Sequence, residues 1–249
     1  MTTIRAAVHV HSEWSYDAHW SLRQLADAFA RRRYDAVLLS EHDRGFDERR
    51  WQEYRRACAA ASDERILLVP GMEYEDPESV VHVPVWGERL PFLGERRPTL
   101  GLLRDAHAAG GFAVLAHPWR RDAHLRHRPD WSPLLGGVEI WNRQYDGIAP
   151  HPSGLRLARA LQLPPFVGLD FHTRRQFFPL AMSLDIAGPL STAAVVDALH
   201  AGRFAPSAAG MSALRFARGL PAPPARAAER TRRRLRGPVR RLERRIGRP

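Results

Sequence analysis

The sequence of 249 residues contains no lysine, because all 38 of its basic residues are arginine. This absence excludes a phosphate-binding P-loop lysine, a lysine Schiff base and a metal bridge made by a carbamylated lysine. No G-x-S-x-G sequence is present either, which excludes the nucleophile turn of the α/β-hydrolases. We therefore expect an enzyme built from this chain to rely on histidine, aspartate, glutamate and arginine.

Cysteine and long apolar runs are also scarce. Cys58 is the single cysteine, so the chain can form neither an intrachain disulfide nor a cysteine-based metal site. No apolar run approaches the roughly 20 residues that span a bilayer, and the first ten residues lack the apolar centre of a secretory signal. Since disulfides are rare in a reducing cytosol, these features predict a cytoplasmic protein.

Positive charge is concentrated near the carboxyl terminus. The formal net charge is +11, but residues 221–249 hold eleven arginines against two glutamates, a net charge of +9. The other 220 residues carry a net charge of only +2, so the body of the chain is nearly neutral. Proline-rich Leu220–Pro224 marks the boundary. We therefore expect a folded domain over residues 1–220 and an arginine-rich extension over residues 221–249.

Three interpretations of the extension stay open. Its apolar positions lie 4, 3 and 4 residues apart, at Leu235, Val239, Leu242 and Ile246. On a helix this spacing forms a narrow apolar stripe among arginines, and Gly237-Pro238 favours a helix over residues 238–247. The segment is then a solvated extension, a basic helix on an anionic membrane surface, or an arm that binds nucleic acid without sequence preference.

Short apolar strands alternate with amphipathic helices along the body of the chain. Ile4–Val10 predicts a first strand, and Ser21–Arg33 predicts a helix with Ser21 as its N-cap. Further strands are predicted at Ala36–Leu39, Ile66–Val69 (ended by Pro70-Gly71), Val80–Trp86, Phe112–Leu115, Val138–Trp141, Pro165–Leu169 and Leu180–Ile186. Further helices are predicted at Trp51–Ala61, Leu100–Ala109, Gly154–Leu161 and Thr192–His200. This alternation favours parallel β–α units in a barrel or an open α/β sheet.

Histidines and acids follow these strands at their carboxyl ends, where β–α folds carry their functional residues. In chain order they are His9-Val10-His11, Glu41-His42-Asp43, Gly71-Met72-Glu73, His117-Pro118 and Asp170-Phe171-His172, and His82 lies inside the fourth strand. Residues i and i+2 of an extended strand point to the same face, so His9 and His11 can bind one ion, as can Asp170 and His172. Imidazole and carboxylate groups suit Zn²⁺, Mn²⁺ or Fe.

The order of these elements resembles the PHP (polymerase and histidinol phosphatase) family over roughly residues 4–186. His9-Val10-His11-Ser12 with Ser15-Tyr16-Asp17 is similar to the opening H-x-H-[ST]-x-x-S-x-D of that family. Glu41-His42-Asp43 resembles its D-H motif, Gly71-Met72-Glu73 its G-x-E, His82-Val83-Pro84-Val85-Trp86-Gly87 its H-x-L-x-x-G, Ala116-His117-Pro118 its A-H-P, and Gly168-Leu169-Asp170-Phe171-His172 its G-S-D-A-H. The resemblance implies an α/β fold, a distorted (β/α)7 TIM-like barrel that holds up to three metal ions.

The resemblance also implies a set of ligands in which two ions share Glu73. The first ion would lie on His9, His11, Glu73 and Asp170, the second on Glu73, His82 and His117, and the third on Asp17, His42 and His172. Glu73, Asp170 and His172 are also the predicted catalytic residues. Glu41 stands where the family has aspartate, and we interpret it as a residue that orients a ligand.

The charge balance of such a site favours a phosphorylated substrate. Three divalent ions carry +6, while Asp17, Glu73, Asp170 and a bridging hydroxide carry −4, and the remaining +2 suits a phosphate dianion. We therefore predict a phosphoric ester hydrolase that uses two to three divalent ions (Zn, Mn or Fe) and a metal-bridging hydroxide to hydrolyse a small phosphate ester. The arginines predicted to bind the phosphate follow motif residues, at Arg44, Arg120, Arg143 and Arg174.

Two alternatives stay open. The same ions would serve a phosphodiesterase or exonuclease that acts on nucleotides or short oligonucleotides. A non-catalytic metal-binding module descended from such an enzyme belongs to a different class. The complete ligand set argues against the module, because a decayed site is expected to lose ligands.

Overall fold

In the computed structural model, which describes residues 1–218 and 224–232, strands and helices alternate along most of the chain. The strands are β1 (Thr2–Val10), β2 (Ala36–Leu39), β3 (Glu41–His42), β4 (Leu67–Val69), β5 (Gly71–Glu75), β6 (His82–Trp86), β7 (Phe112–Leu115), β8 (Gly137–Asn142), β9 (Pro165–Gly168), β10 (Leu180–Ile186), β11 (Phe204–Ala208) and β12 (Met211–Ser212). The helices are α1 (Leu22–Ala30), α2 (Glu48–Ala61), α3 (Thr99–Ala108), α4 (Gly154–Ala160), α5 (Thr192–His200) and α6 (Ala213–Arg218). Short 3-10 helices cover Arg120–Arg126, Pro129–Leu134 and Arg174–Gln176, and residues 224–232 are helical.

The strands form two sheets of six, in the orders β12-β11-β10-β1-β2-β4 and β3-β5-β6-β7-β8-β9. Only Ser40 separates β2 from β3, and only Pro70 separates β4 from β5, so the chain passes directly from one sheet to the other at both places. The segment after β9 returns to β1, where the Leu169 N–H donates to the Val8 carbonyl at 2.9 Å. The predicted α/β fold is confirmed, with parallel and antiparallel pairing in two sheets over the described residues.

The third predicted strand, β4, ends at Val69 before Pro70-Gly71, as expected, because Pro70 has no N–H for a strand ladder. The sequence did not predict β5, which begins directly after Pro70. The predicted direction of the next strand is wrong. β6 runs antiparallel to both β5 and β7 rather than parallel. Residues 76–81 connect β5 to β6, and six residues are too few for a parallel crossover. As a result His82, the first residue of β6, lies opposite Glu75, the last residue of β5.

The helices pack on the strands through the apolar stripes that their sequences predict. In α1 the buried residues Leu22, Leu25, Ala26 and Phe29 occupy one face, and in α2 Trp51 and Tyr54 are fully buried. Each large apolar side chain that is removed from water contributes about 1.5–3 kcal/mol to folding. No helix among the described residues is both long enough and apolar enough to cross a lipid bilayer.

Part of the predicted extension packs on the body of the protein. Glu229, in the helix of residues 224–232, is only 5% exposed and accepts a hydrogen bond from the Ile148 N–H at 3.2 Å. Gly147 lies so close that a Cβ on it would collide with the Glu229 carboxylate. The stripe of Leu235, Val239, Leu242 and Ile246 and the predicted helix over 238–247 lie outside the described residues. The domain division at residue 220 stays a prediction.

Ser21 should contribute measurably to folding, because it begins α1 with a complete capping box. Its hydroxyl accepts the Gln24 N–H at 3.2 Å, and the Gln24 side chain accepts the Ser21 N–H at 2.9 Å. Ser21→Ala should lower the free energy of unfolding by about 1 kcal/mol in urea titrations followed by circular dichroism. Ser153→Ala is the control, since Ser153 precedes α4 without a capping bond. Equal losses from both substitutions would contradict the role of Ser21.

Candidate metal centre

The carboxylate of Glu73 lies at the centre of a buried group of histidines. Glu73 is 1% exposed. Its Oε1 atom is 3.0 Å from His117 Nε2, 3.1 Å from His82 Nδ1 and 3.2 Å from His9 Nε2, and its Oε2 atom is 3.3 Å from His42 Nδ1 and 3.5 Å from His11 Nε2. One carboxylate thus faces five histidines, of which three lie in β1, β3 and β6 and two, His11 and His117, follow β1 and β7.

Two further carboxylates complete this cluster. Asp170 Oδ1 is 3.7 Å from His11 Nε2 and 3.9 Å from His9 Nε2. Asp17 Oδ2 is 3.2 Å from His172 Nε2 and 3.5 Å from His42 Nε2. The structure therefore brings all nine predicted ligands into one cluster, which consists of His9, His11, Asp17, His42, Glu73, His82, His117, Asp170 and His172.

Unusual backbone conformations direct three of these side chains inward. His9, His117 and Asp170 have φ values of 61°, 24° and 50°, in the left-handed region that residues other than glycine rarely adopt. His9 also lies at a shift in the pairing of β1 with β2, between Val8 and Val10. The His9 and His11 rings do converge, with centroids 5.3 Å apart. The reason is this irregularity, however, and not the simple strand alternation from which the convergence was predicted.

Several buried ring nitrogens of the cluster have no hydrogen-bond partner. They are His9 Nε2, His11 Nε2, His42 Nδ1 and His117 Nδ1. A buried polar atom without a partner is costly and requires an explanation. Two ligand atoms about 2.1 Å from one ion are separated by about 3.0–3.4 Å at tetrahedral or octahedral angles, and most separations in the cluster fall close to this range. The residues therefore fit divalent metal ions.

Four groups of three residues have ligand atoms close enough to share an ion. In each group the atoms lie within 4.8 Å of one another, and the groups are His9, His11 and Asp170; His9, Glu73 and His117; His11, His42 and His172; and His42, Glu75 and His82. The first group is part of one ligand set that the motif resemblance implies, whereas the second places His9 with Glu73 and His117, and the third places His11 with His42 and His172. The division of the ligands among three ions stays a prediction. The fourth group contains Glu75, which the predicted set does not include.

Two groups of the cluster, Glu73 and His11, favour the protonation states that cation binding requires. Burial raises the pKa of Glu73, but the charges of His9 and His82 and hydrogen bonds from His117 and His82 outweigh burial and hold that pKa well below its ordinary value. Burial and the neighbouring rings of His172 and His42 hold the pKa of His11 well below its ordinary value. Metal ligands must be deprotonated, so an ionised Glu73 and a neutral His11 are the required forms.

Glu139 supports the cluster from outside. This buried residue of β8 has Oε1 at 2.8 Å from His9 Nδ1, and its Oε2 accepts the His117 N–H and an Asn142 side-chain N–H, each at 2.8 Å. Asn142 also donates to Asp170 Oδ2 at 3.3 Å. Histidines that bind metals commonly donate their second ring nitrogen to a carboxylate, which fixes the ring orientation. Glu139 therefore contacts both His9 and His117, and it contacts Asp170 indirectly through Asn142.

Glu41 also contacts the cluster through intermediate residues. It is fully buried, and it accepts the Ser12 hydroxyl and the Ser15 hydroxyl at 2.6 Å each. The Ser15 Oγ atom is in turn 3.2 Å from His11 Nδ1 and accepts the His42 N–H at 3.0 Å. This chain of contacts agrees with the interpretation of Glu41 as a residue that orients a ligand.

Of the predicted phosphate-binding arginines, Arg120 contacts the cluster directly. Its Nη1 lies 2.9 Å from His82 Nε2 and donates to the Ser79 carbonyl at 2.7 Å, and its Nε donates to the Tyr145 hydroxyl at 3.1 Å. Arg44 is exposed and lies 5.2 Å from the Tyr16 ring centroid.

The other two arginines lie in different surroundings. Arg143 lies over the Phe178 ring at 5.5 Å and donates to the Arg175 carbonyl at 3.3 Å. Arg174 is exposed at the start of the 3-10 helix Arg174–Gln176. Their role as phosphate-binding residues stays a prediction.

Two partly exposed tyrosines border the cluster and were not predicted. The Tyr16 ring stacks on His42 with centroids 5.0 Å apart, and Tyr145 lies against His117 at 4.9 Å. Tyr16 is 58% and Tyr145 38% exposed. Tyr16 is part of the opening motif of the sequence, between Ser15 and Asp17, whereas no sequence signal distinguished Tyr145.

Solved structures described as PHP-like metal-dependent phosphoesterases have the same fold, in agreement with the motif resemblance. The chain is similar to a two-domain protein from Bacteroides vulgatus that contains a predicted PHP-like metal-dependent phosphoesterase (20% identity, TM-score 0.62, 83% of this chain and 65% of that chain). It is similar to PsfC from Pseudomonas syringae (17% identity, TM-score 0.60, 79% and 88%). It is also similar to the lesion-specific endonuclease EndoQ from Pyrococcus furiosus (11% identity, TM-score 0.56, 80% and 56%).

The matched region spans about 65% of the length of the Bacteroides protein and 56% of that of the Pyrococcus endonuclease. No protein-family model matches the sequence, and no curated protein matches it. Because the sequence identities are this low, the structural likeness establishes the fold alone.

Gly168 should be essential for the Glu139 contacts. A Cβ at this position would collide with Glu139 Oε1 and would lie 3.1 Å from the His9 Cβ. Gly168→Ala should displace Glu139 and weaken Mn²⁺ binding about 10–100-fold, as other losses of an outer ligand partner do. Isothermal titration calorimetry measures the affinity. Gly101→Ala is the control, because its Cβ would make only an ordinary contact of 3.5 Å with Arg97. An unchanged affinity in Gly168→Ala would show that Glu139 does not support ion binding.

Proposed function

We propose that this protein is a metal-dependent phosphoesterase that hydrolyses a small phosphate ester. The observation that carries the proposal is the cluster around Glu73, in which three carboxylates and six histidines meet while several buried ring nitrogens lack partners. A cluster of this composition is costly to bury without cations. The shared fold of PHP-like phosphoesterases supports the same class of reaction.

The residues of the cluster would hold two to three divalent ions. His9, His11, Glu73 and Asp170 form one position, Glu73, His82 and His117 a second, and Asp17, His42 and His172 a third. Imidazole and carboxylate donors suit Zn, Mn or Fe. Such ions, when bound, supply a water of lowered pKa as the nucleophile and stabilise negative charge on phosphoryl oxygens.

The chain's own residues would bind and orient the ester. Arg120 is held against the cluster by Ser79 and Tyr145, so its planar guanidinium is positioned beside His82 before a substrate arrives. An arginine binds phosphate oxygens in a forked, bidentate manner. Arg44 lies near the Tyr16 ring, which in turn stacks on His42. Glu73, Asp170 and His172 are the proposed catalytic residues, and Arg143 and Arg174 are proposed to contact more distant parts of the substrate.

A distorted (β/α)7 barrel is our interpretation of the two sheets. Counting β2 with β3 and β4 with β5 as single strands leaves a ring of seven, namely β1, β2/β3, β4/β5, β6, β7, β8 and β9. Support comes from the main-chain hydrogen bonds between the segment after β9 and β1, such as His11 N–H to Phe171 O at 2.9 Å. In such a ring the strand ends meet on one side, where the cluster lies.

Cleavage of a phosphodiester in nucleic acid is the second candidate function. The Pyrococcus protein of the same fold is a lesion-specific endonuclease. Residues 221–249 carry a net charge of +9, which favours a polyanion such as nucleic acid or an anionic surface as a partner. Metal ions in the same positions would serve this reaction equally well.

Metal content and turnover together test the proposed function. Protein reconstituted with Mn²⁺ should contain two to three ions per chain by elemental analysis and should hydrolyse a chromogenic phosphomonoester. Glu73→Gln should lower turnover at least about 100-fold and reduce the metal content, because Glu73 is the shared ligand. Glu78→Gln is the control, since Glu78 is exposed and pairs with Arg126.

The outcomes separate the alternatives. Faster turnover of a chromogenic phosphodiester or a short RNA than of the monoester would favour the second candidate. Metal-loaded protein that hydrolyses none of these compounds would contradict both enzymatic functions. Protein that contains no metal after reconstitution would contradict the ligand assignment itself.

Arg120 should contribute to substrate binding. Arg120→Ala should raise the KM for the monoester about tenfold or more, because hydrogen bonds to charged groups contribute about 1.5–3 kcal/mol. Arg174→Ala is the comparison, since Arg174 is exposed on a neighbouring 3-10 helix. Steady-state kinetics at fixed Mn²⁺ provides both constants. Equal KM values for the two variants would contradict the special position of Arg120.

A further inference from the structure

We infer that Glu75 is a positioning residue that orients His42 for binding of the third ion, an inference that rests on the proposed function. Glu75 belongs to neither the predicted ligands nor the predicted catalytic residues. It lies two residues after Glu73 on β5, so the two carboxylates share one face of the strand. Glu75 is 6% exposed.

The surroundings of the Glu75 carboxylate show what compensates its burial. Its Oε1 atom is 3.3 Å from His42 Nδ1, and its Oε2 atom is 3.9 Å from His82 Nε2. Among the ion pairs of the described residues, Glu75 contacts histidine rings and no arginine. A buried carboxylate normally needs a cationic partner or a hydrogen-bond donor. Of the two rings, that of His42 lies closer to the Glu75 carboxylate.

Three other rings of the cluster share one arrangement, in which one nitrogen faces the carboxylates and the second has an outer partner. His9 Nδ1 lies 2.8 Å from Glu139, His11 Nδ1 3.2 Å from Ser15 Oγ, and His172 Nδ1 3.0 Å from the Asp170 carbonyl. His42 directs Nε2 towards Asp17, at 3.5 Å. Its Nδ1 has no hydrogen bond in the structure.

Glu75 rather than Glu73 is the acceptor that this nitrogen needs. When Nε2 binds an ion it uses its lone pair, so Nδ1 must carry a hydrogen and requires an acceptor. Glu73 Oε2 is also 3.3 Å away, but the Glu73 oxygens face four other histidines of the proposed shared positions. Glu75 Oε1 lies at the same distance and does not belong to those positions. Glu75 would then have the role towards His42 that Glu139 has towards His9, whose Nδ1 lies 2.8 Å from Glu139 Oε1.

Ion binding by the full chain tests this role without reference to turnover. Glu75→Ala removes the acceptor, Glu75→Gln keeps an acceptor oxygen without the charge, and Glu78→Gln is the exposed control. Equilibrium dialysis against graded Mn²⁺ alone gives the affinity of each ion. In Glu75→Ala one ion should bind about 10–100-fold more weakly while the others are unchanged, with an intermediate loss in Glu75→Gln. Wild-type affinity for every ion in Glu75→Ala would overturn the inference.

The same substitution made in the His42→Ala variant distinguishes a positioning role of Glu75 from direct binding of an ion by Glu75. If Glu75 acts through His42, adding Glu75→Ala to His42→Ala should cause no further loss of affinity for that ion. A further tenfold loss would show that Glu75 holds an ion itself and would overturn the positioning role. Wild-type protein that binds no ion at all would contradict the proposed function rather than this inference.

Ring-nitrogen NMR of the Zn²⁺-loaded protein provides a measurement that does not depend on how tightly His42→Ala binds metal. The His42 Nδ1 hydrogen should exchange with water more slowly in the wild type and Glu78→Gln than in Glu75→Ala. Equal exchange rates in the three proteins would overturn the inference even where all variants remain folded by circular dichroism.

Discussion

Burial of the Glu73 carboxylate among five imidazole rings is the interaction on which the rest of the site depends. An isolated carboxylate would be neutralised by so complete a loss of water, yet the surrounding histidines hold the pKa of Glu73 well below its ordinary value. The strands deliver these rings from distant parts of the sequence, from His9 to His117, so the fold must close before the charges compensate one another. Metal ions would strengthen this compensation, because they would lie beside ring nitrogens such as His9 Nε2 and His11 Nε2, which have no hydrogen-bond partner.

Backbone strain is concentrated at the same place. Left-handed conformations at His9, His117 and Asp170 cost about 1–3 kcal/mol each. His9 lies within β1, whereas His117 and Asp170 each lie two residues beyond the end of a strand, β7 and β9. Glu139 of β8 accepts both the His117 N–H and an Asn142 side-chain N–H. These conformations direct the three side chains into the cluster, whereas regular strand alternation would direct them elsewhere. Rigid strands therefore orient the cluster, while loops supply the exposed tyrosines at its border.

A chain without lysine must use arginine wherever a cation is needed near the cluster. The guanidinium of Arg120 contacts a ring nitrogen, a carbonyl and a hydroxyl at the same time, which a lysine ammonium could not do in one plane. Such fixed contacts leave less conformational entropy to lose when a phosphate binds. The helix of residues 224–232 approaches the same region through Glu229 and Ile148, so the start of the arginine-rich segment lies close to the loop that carries Tyr145.

The sequence by itself determined the α/β character, the alternation of most elements and the identity of the nine clustered side chains, because apolar periodicity and ordered histidine motifs are local properties. Phe112–Leu115, Leu180–Ile186 and Thr192–His200 have the predicted bounds, and Ser21 caps α1 as expected. Strand direction was decided only by tertiary structure, since the short connection before β6 reverses that strand and brings His82 opposite Glu75. The irregular backbone at His9 and the approach of Glu75 to His42 depend on how neighbouring strands pair. Pairing joins residues far apart in the chain, so no local pattern in the sequence encodes it.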